Sequence, residues 1–185
     1  MKVEVSRLIG EKDYCEQVFN FFIKNKTIRK SNPNLFEKHL NKSLSNLEFG
    51  NFILLEHEYS IKEKLKNKSF YDWCVVIYYY TIYHSVLSLV SKAGFESKNH
   101  VASICALIYI YYHKRNVLNE EDIQFIVDDL HIQREEIEFI ASSKGLRERA
   151  SYGVDESFDF SLAKKLQGRV VDFVNKVNEI FENEK

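Results

Sequence analysis

Apolar residues recur along this chain at steps of three and four, the spacing that puts them on one face of a helix. From Ile9 to Arg29, Val18, Phe19, Phe21, Phe22 and Ile23 alternate with charged residues and predict a first helix. Asn32-Pro33 interrupts it. Proline suits the first turn of a helix and Asn32 can cap the amides there, so a second helix is predicted from Pro33. Leu40, Leu44, Leu47, Phe52 and Leu55 carry it to about Leu65, and Gly50 marks a place where it can bend. Ser69-Phe70-Tyr71-Asp72 has the spacing of a capping box and opens a third, Tyr-rich helix, which Lys92-Ala93-Gly94 closes.

Asn99 to Tyr112 is apolar on most sides and predicts another buried helix, after the short connection Gly94 to Ser97. Asn119-Glu120-Glu121-Asp122 places a cap and acidic residues at the start of a shorter one, where the helix dipole favours negative charge. Gln133 to Tyr152 is charged on one face and carries Ile137, Phe139, Ile140 and Leu146 on the other, with Gly145 as a break. From Asp159 to Glu184, Leu162, Leu166, Val170, Phe173, Val177 and Ile180 give the clearest amphipathic pattern in the chain. The expected fold is all-α: an antiparallel up-and-down bundle with four to five core helices, residues 33–185, preceded by an N-terminal helical extension, residues 1–32, in a single domain overall.

Composition adds exclusions. With 185 residues, one proline and six glycines there is room for one good core and few tight turns. Lysine and arginine total 26 against 27 acidic residues, so no global field draws the chain to nucleic acid or anionic membrane, and such binding needs a local patch. Cys15, Cys74 and Cys105 show no Cys-x-x-Cys spacing, which argues against a disulfide framework or a zinc cluster and for a reducing cytoplasm. The start, Met1-Lys2-Val3-Glu4-Val5, has no signal-peptide run, which adds to the cytoplasmic expectation. Trp73 to Ser91 is uncharged and near the length of a membrane span. Its tyrosines, His84, Thr81 and three serines predict a helix surrounded by protein instead.

No glycine-rich phosphate loop, His-Glu-x-x-His helix or Gly-x-Ser-x-Gly elbow is present. The six histidines, His39, His57, His84, His100, His113 and His131, never stand four apart, so no single helix supplies a two-histidine metal site, and no metal or cofactor is expected. Three segments mix apolar and ionisable residues. His84 ends the run Tyr78-Tyr79-Tyr80-Thr81-Ile82-Tyr83 and reads either as a satisfied core histidine or as part of a cleft between helices. Lys98 and His100 flank a helix start, where amides and dipole favour an anion such as phosphate; the alternative is a solvated turn capped by Asn99. Arg147 and Arg149 fall at a helix end, where the dipole favours cations in any case; Arg149 and Tyr152, three apart, share a face.

Together these segments resemble the HEPN superfamily of nucleotide-binding helical bundles, in its short archaeal and bacterial form. Tyr79-Tyr80-Thr81-Ile82-Tyr83-His84, Lys98-Asn99-His100 and Arg147-Glu148-Arg149-Ala150-Ser151-Tyr152 stand in the order that such proteins show, and the likeness covers about Leu40 to Ile180. The resemblance implies a four- or five-helix bundle, a homodimer, and RNA or nucleotide held in the dimer cleft by Lys98, His100, Arg147, Arg149 and Tyr152. It also implies a place in a toxin and antitoxin or defence module with a nucleotidyltransferase partner. Catalytic members cut RNA without metal through Arg-x(4 to 6)-His. Here Tyr152 stands five after Arg147 at the histidine position, so Arg147, His100 and His84 are the catalytic candidates if the chain is an endoribonuclease toxin. A non-catalytic interaction module, docking through the Phe-rich segment Met1 to Ile28, is the other alternative.

Overall fold

A computed structural model describes residues 3–32, 34–64, 70–97, 99–128, 130 and 159–183. Among these residues the fold is an all-α helical bundle with one short strand pair. Two helices, α1 (Val5–Gly10) and α2 (Lys12–Lys24), come first. The first predicted helix is therefore split at Glu11, and it stops at Lys24, short of Arg29. Lys26 takes a left-handed φ of 57°, which ends helical progression, and β1 (Ile28–Lys30) follows. It pairs antiparallel with β2 (Phe95–Ser97), Arg29 opposite Glu96. Three-residue strands are too short for alternation to register, and the connection read as Gly94 to Ser97 conceals one of them.

Helix α3 (Leu35–Glu56) runs on through a π-helical turn, His57–Ile61, and a last α-turn, Lys62–Lys64. Asn32 does organise its start: its carbonyl accepts from the Leu35 amide at 3.0 Å and its side chain from the Asn34 amide at 3.0 Å. Pro33 and Ser69 lie outside the described residues. Helix α4 (Tyr71–Lys92) starts with Phe70 at the cap position and no side-chain cap. The Phe70 amide instead donates to His57 Nε2 at 3.0 Å, so the π-turn of one helix caps the next. Gly94, at φ +85°, terminates α4 as its sequence predicts.

Helix α5 (His100–Leu107) opens with Asn99, whose side chain accepts from the Ala102 amide at 3.2 Å, and continues as a π-helical segment, Ile108–Lys114. Residues 120–128 form α6, capped reciprocally: the Asp122 amide donates to the Asn119 side chain at 2.9 Å, and the Asn119 amide to Asp122 at 2.8 Å. The last helix, α7 (Phe160–Asn183), buries Leu166, Val170, Phe173, Val177 and Ile180 and leaves Leu162 43% exposed. The predicted helix Gln133 to Tyr152 lies outside the described residues.

Helix α4 is the axis of the core. It is long and apolar enough to cross a membrane by composition, yet 78% of its apolar window is buried by the other helices. Its hydroxyls are paired inside: Thr81 donates to the Ile77 carbonyl at 2.9 Å and Ser88 to the Ser85 carbonyl at 2.7 Å. Helix α2 also faces this core. Val18, Phe19 and Phe22 are buried, and Phe19 stacks on Tyr109 with centroids 4.6 Å apart. Cys15, Cys74 and Cys105 are free and buried.

Antiparallel packing of α3 on α4 is tightest at Gly50. A Cβ there would stand 2.8 Å from Tyr78 Cε1 and 3.1 Å from Ile77 Cγ2. The Tyr78 ring cannot swing away, because it is fully buried and its hydroxyl donates to Asn51 at 2.9 Å. Gly50 is thus a site of close helix approach within a continuous helix. Alanine is the better helix former by about 1 kcal/mol, whereas overpacking costs about 1–3 kcal/mol. Gly50→Ala is expected to destabilise the protein by up to about 2 kcal/mol, the overpacking cost less the propensity gain, measured by urea unfolding at neutral pH.

Candidate functional site

The register set at Gly50 carries along both helices toward the N-terminal half of α3. Ser43 meets α4 there, donating to the Thr81 carbonyl at 2.9 Å and lying 2.7 Å from the Ser85 hydroxyl, all buried. One turn further out, His39 of α3 meets His84 of α4. Their Nδ1 atoms are 3.1 Å apart and their rings are stacked at 28° with centroids 5.4 Å apart. Two acceptor lone pairs would repel at that separation, so one ring carries its proton on Nδ1 and donates it to the other.

Beside this pair, Tyr83 stacks on His100, the first residue of α5, with centroids 4.1 Å apart and planes within 9°. Tyr79 lies under the same imidazole at 6.0 Å and meets Tyr80 edge to face at 5.2 Å. Tyr79 is buried while Tyr80 is 40% exposed, so the row runs from core to surface. The expectation that protein surrounds the Trp73 to Ser91 run holds at Tyr78 and Tyr79, which are buried, while Tyr80 turns outward. His84 and His100, both half-buried, are therefore brought together across Tyr83, which is 6.0 Å from the His84 ring. Lys98, Arg147, Arg149 and Tyr152 lie outside the described residues.

Sequence reasoning missed His39. Its signal is weak: a histidine between Lys38 and Leu40 in an amphipathic helix looks like many others. Only the antiparallel pairing with α4 marks it, and the offset between two helices is invisible to periodicity.

Burial pushes His84 down to about 4, helped by the adjacent His39 and by the positive charge of Lys42; burial also lowers His39. Both rings are then neutral at pH 7. The groups acting on His84 are His39 and Lys42 of α3, with Tyr83 on its own helix.

A second polar cluster occupies the other end of the α3 and α4 pair, about 27 Å away along α3 at 1.5 Å per residue. His57, 1% exposed, accepts the Phe70 amide on Nε2 and so keeps its proton on Nδ1, 3.6 Å from Glu58. Its ring lies 3.9 Å from that of Tyr71, whose hydroxyl donates to the same Glu58 oxygen. Burial and the Glu58 carboxylate raise the Tyr71 phenol. This knot fixes the π-turn to the start of α4, and a cleft of about 380 Å³ opens beside it, lined by Leu55, Glu58, Tyr59, Phe160 and Lys164 among others.

Comparison with protein-family models finds no match to this chain, and comparison with curated proteins finds none either.

The depressed His84 value fixes the sign of an acid response. Unfolded, His84 takes up a proton near 6.5; folded, it resists until about 4. The unfolded state holds more protons in that window, so this contribution is complete above pH 6.5 and is lost as pH falls toward 4. Thermal melts from pH 7 to pH 4.5, with a chelator present, should show a drop in Tm for the native protein that is shallower in His84→Gln. Parallel curves would rule this out.

Proposed function

We propose that this chain is a HEPN-type helical protein that binds RNA or a nucleotide at a homodimer cleft, as part of a module with a nucleotidyltransferase. The observation that carries the proposal is the Tyr83–His100 stack at the start of α5, flanked by the His39–His84 pair and by outward-turned Tyr80. Flat aromatic and imidazole faces suit unstacked bases, and the dipole at the start of α5 suits phosphate. Arg147, Arg149, Lys98 and Tyr152 enter from the family resemblance, Arg147 as a bidentate phosphate ligand.

Binding is favoured over cleavage. With Tyr152 where catalytic members carry histidine, the group five after Arg147 is a phenol of pKa near 10, a poor base at neutral pH. Homodimerisation draws support from α3 and the π-turn after it, where Phe49, Phe52, Leu55 and Tyr59 are 55%, 57%, 59% and 74% exposed along one strip. Such an apolar strip is what an interface covers. The same strip favours the interaction module as the second reading. Its N-terminal form would rest on Phe21, 38% exposed, since Phe19 and Phe22 of α2 face the core.

Fluorescence anisotropy with labelled single-stranded RNA, and with nucleotides as competitors, tests the leading reading. Affinity should fall as salt rises, and Tyr83→Ala, His100→Ala and Arg147→Ala should each weaken binding by about tenfold, the scale of one lost stacking or charged contact at ~1–3 kcal/mol. Equal affinity in all three folded variants would defeat it. A dimer that binds no nucleic acid would favour the interaction reading.

A further inference from the structure

We propose that His39 and His84 form a binding site for a late first-row divalent transition-metal ion, held between α3 and α4 by the two Nδ1 atoms. The site is independent of the RNA reading. It rests on one piece of geometry: two imidazole nitrogens from different helices, 3.1 Å apart and facing each other.

That separation is close to the one a shared metal requires. With metal–nitrogen bonds of about 2.0–2.1 Å, two ligands of a tetrahedral ion stand about 3.3–3.4 Å apart, and two neighbouring ligands of a square-planar ion about 2.8–3.0 Å. The observed distance falls between these, so either geometry is reached by shifts of a few tenths of an ångström. The helices need not move. Their spacing is already fixed by Gly50 on Tyr78 and by Ser43 on Thr81 and Ser85. A preformed pair loses little conformational entropy on coordination, which is what makes two ligands sufficient for measurable affinity.

The chemistry of the donors selects the ion. Neutral imidazole suits Cu²⁺, Ni²⁺ and Zn²⁺, and offers little to Mg²⁺ or Ca²⁺, which prefer oxygen. In the free protein one Nδ1 carries a proton, and coordination moves it to Nε2 of the same ring. A neutral pair therefore binds metal with no net proton release. Among the described residues no group of three or more His, Cys, Asp or Glu side chains surrounds this place, so none of these supplies a third ligand.

Lys42 provides an internal check. Its positive charge acts on His84 and opposes a second cation there. A metal bound at the pair should feel Lys42; a metal bound elsewhere on the surface should not.

Isothermal titration of Cu²⁺ and Zn²⁺ into full-length, chelator-treated protein, without RNA, is the test. One ion per chain is expected at this site, Cu²⁺ tighter than Zn²⁺, with a matching metal-dependent rise in Tm. His39→Gln and His84→Gln, each verified as folded by circular dichroism, should weaken binding at least tenfold, and Lys42→Ala should tighten it severalfold. Unchanged affinity in the two folded glutamine variants overturns the proposal. So does the absence of heat and of a Tm shift in the folded native protein.

Discussion

Close contact between α3 and α4 at Gly50 governs the rest of this molecule. Without a side chain at that point, α3 sits against the buried Tyr78 ring, and the offset between the two helices is set to within a fraction of a turn. Every cross-helix pair then follows from that offset: Ser43 with Thr81 and Ser85, His39 with His84, and at the far end His57 with Tyr71. A helix turn advances about 5.4 Å, so a slip of one turn would separate all of these partners at once.

The same pairing explains how an almost uncharged helix can be buried while carrying so many hydroxyls. Inside the bundle each polar group needs a partner. Ser43, Thr81, Ser85 and Ser88 find theirs in carbonyls and in one another, and the Tyr111 hydroxyl donates to the Leu89 carbonyl at 2.8 Å. At the His39 and His84 end of the pair, where the rings are half-buried, ionisable histidines replace the hydroxyls, whereas His57 at the other end is 1% exposed. The arrangement grades from sealed core to half-buried edge along a single helix interface, and the edge is where Tyr83, His84 and His100 meet.

Much of this could be read from the residues. The amphipathic steps of α7, the caps at Asn99 and Asn119 and the stop at Gly94 are local, because each depends on side chains within a turn of the backbone groups they serve. The strand pair was not legible, since Ile28–Lys30 and Phe95–Ser97 stabilise each other across the fold and neither carries a pattern alone. Nor were the π-turns at His57–Ile61 and Ile108–Lys114, where tertiary packing overrides an otherwise helical sequence. Of the site, His84 and His100 stood out as polar residues in apolar surroundings, whereas His39 gave no local sign.

By itself the sequence determined the class of fold, the order of its main helices and the presence of ionisable groups within an apolar frame, because periodicity and capping act over a few residues. Tertiary structure alone decided which of those groups face one another. His39 and His84 are 45 positions apart, and their meeting depends on the offset of two antiparallel helices, which is fixed by the fit of a tyrosine ring against a glycine.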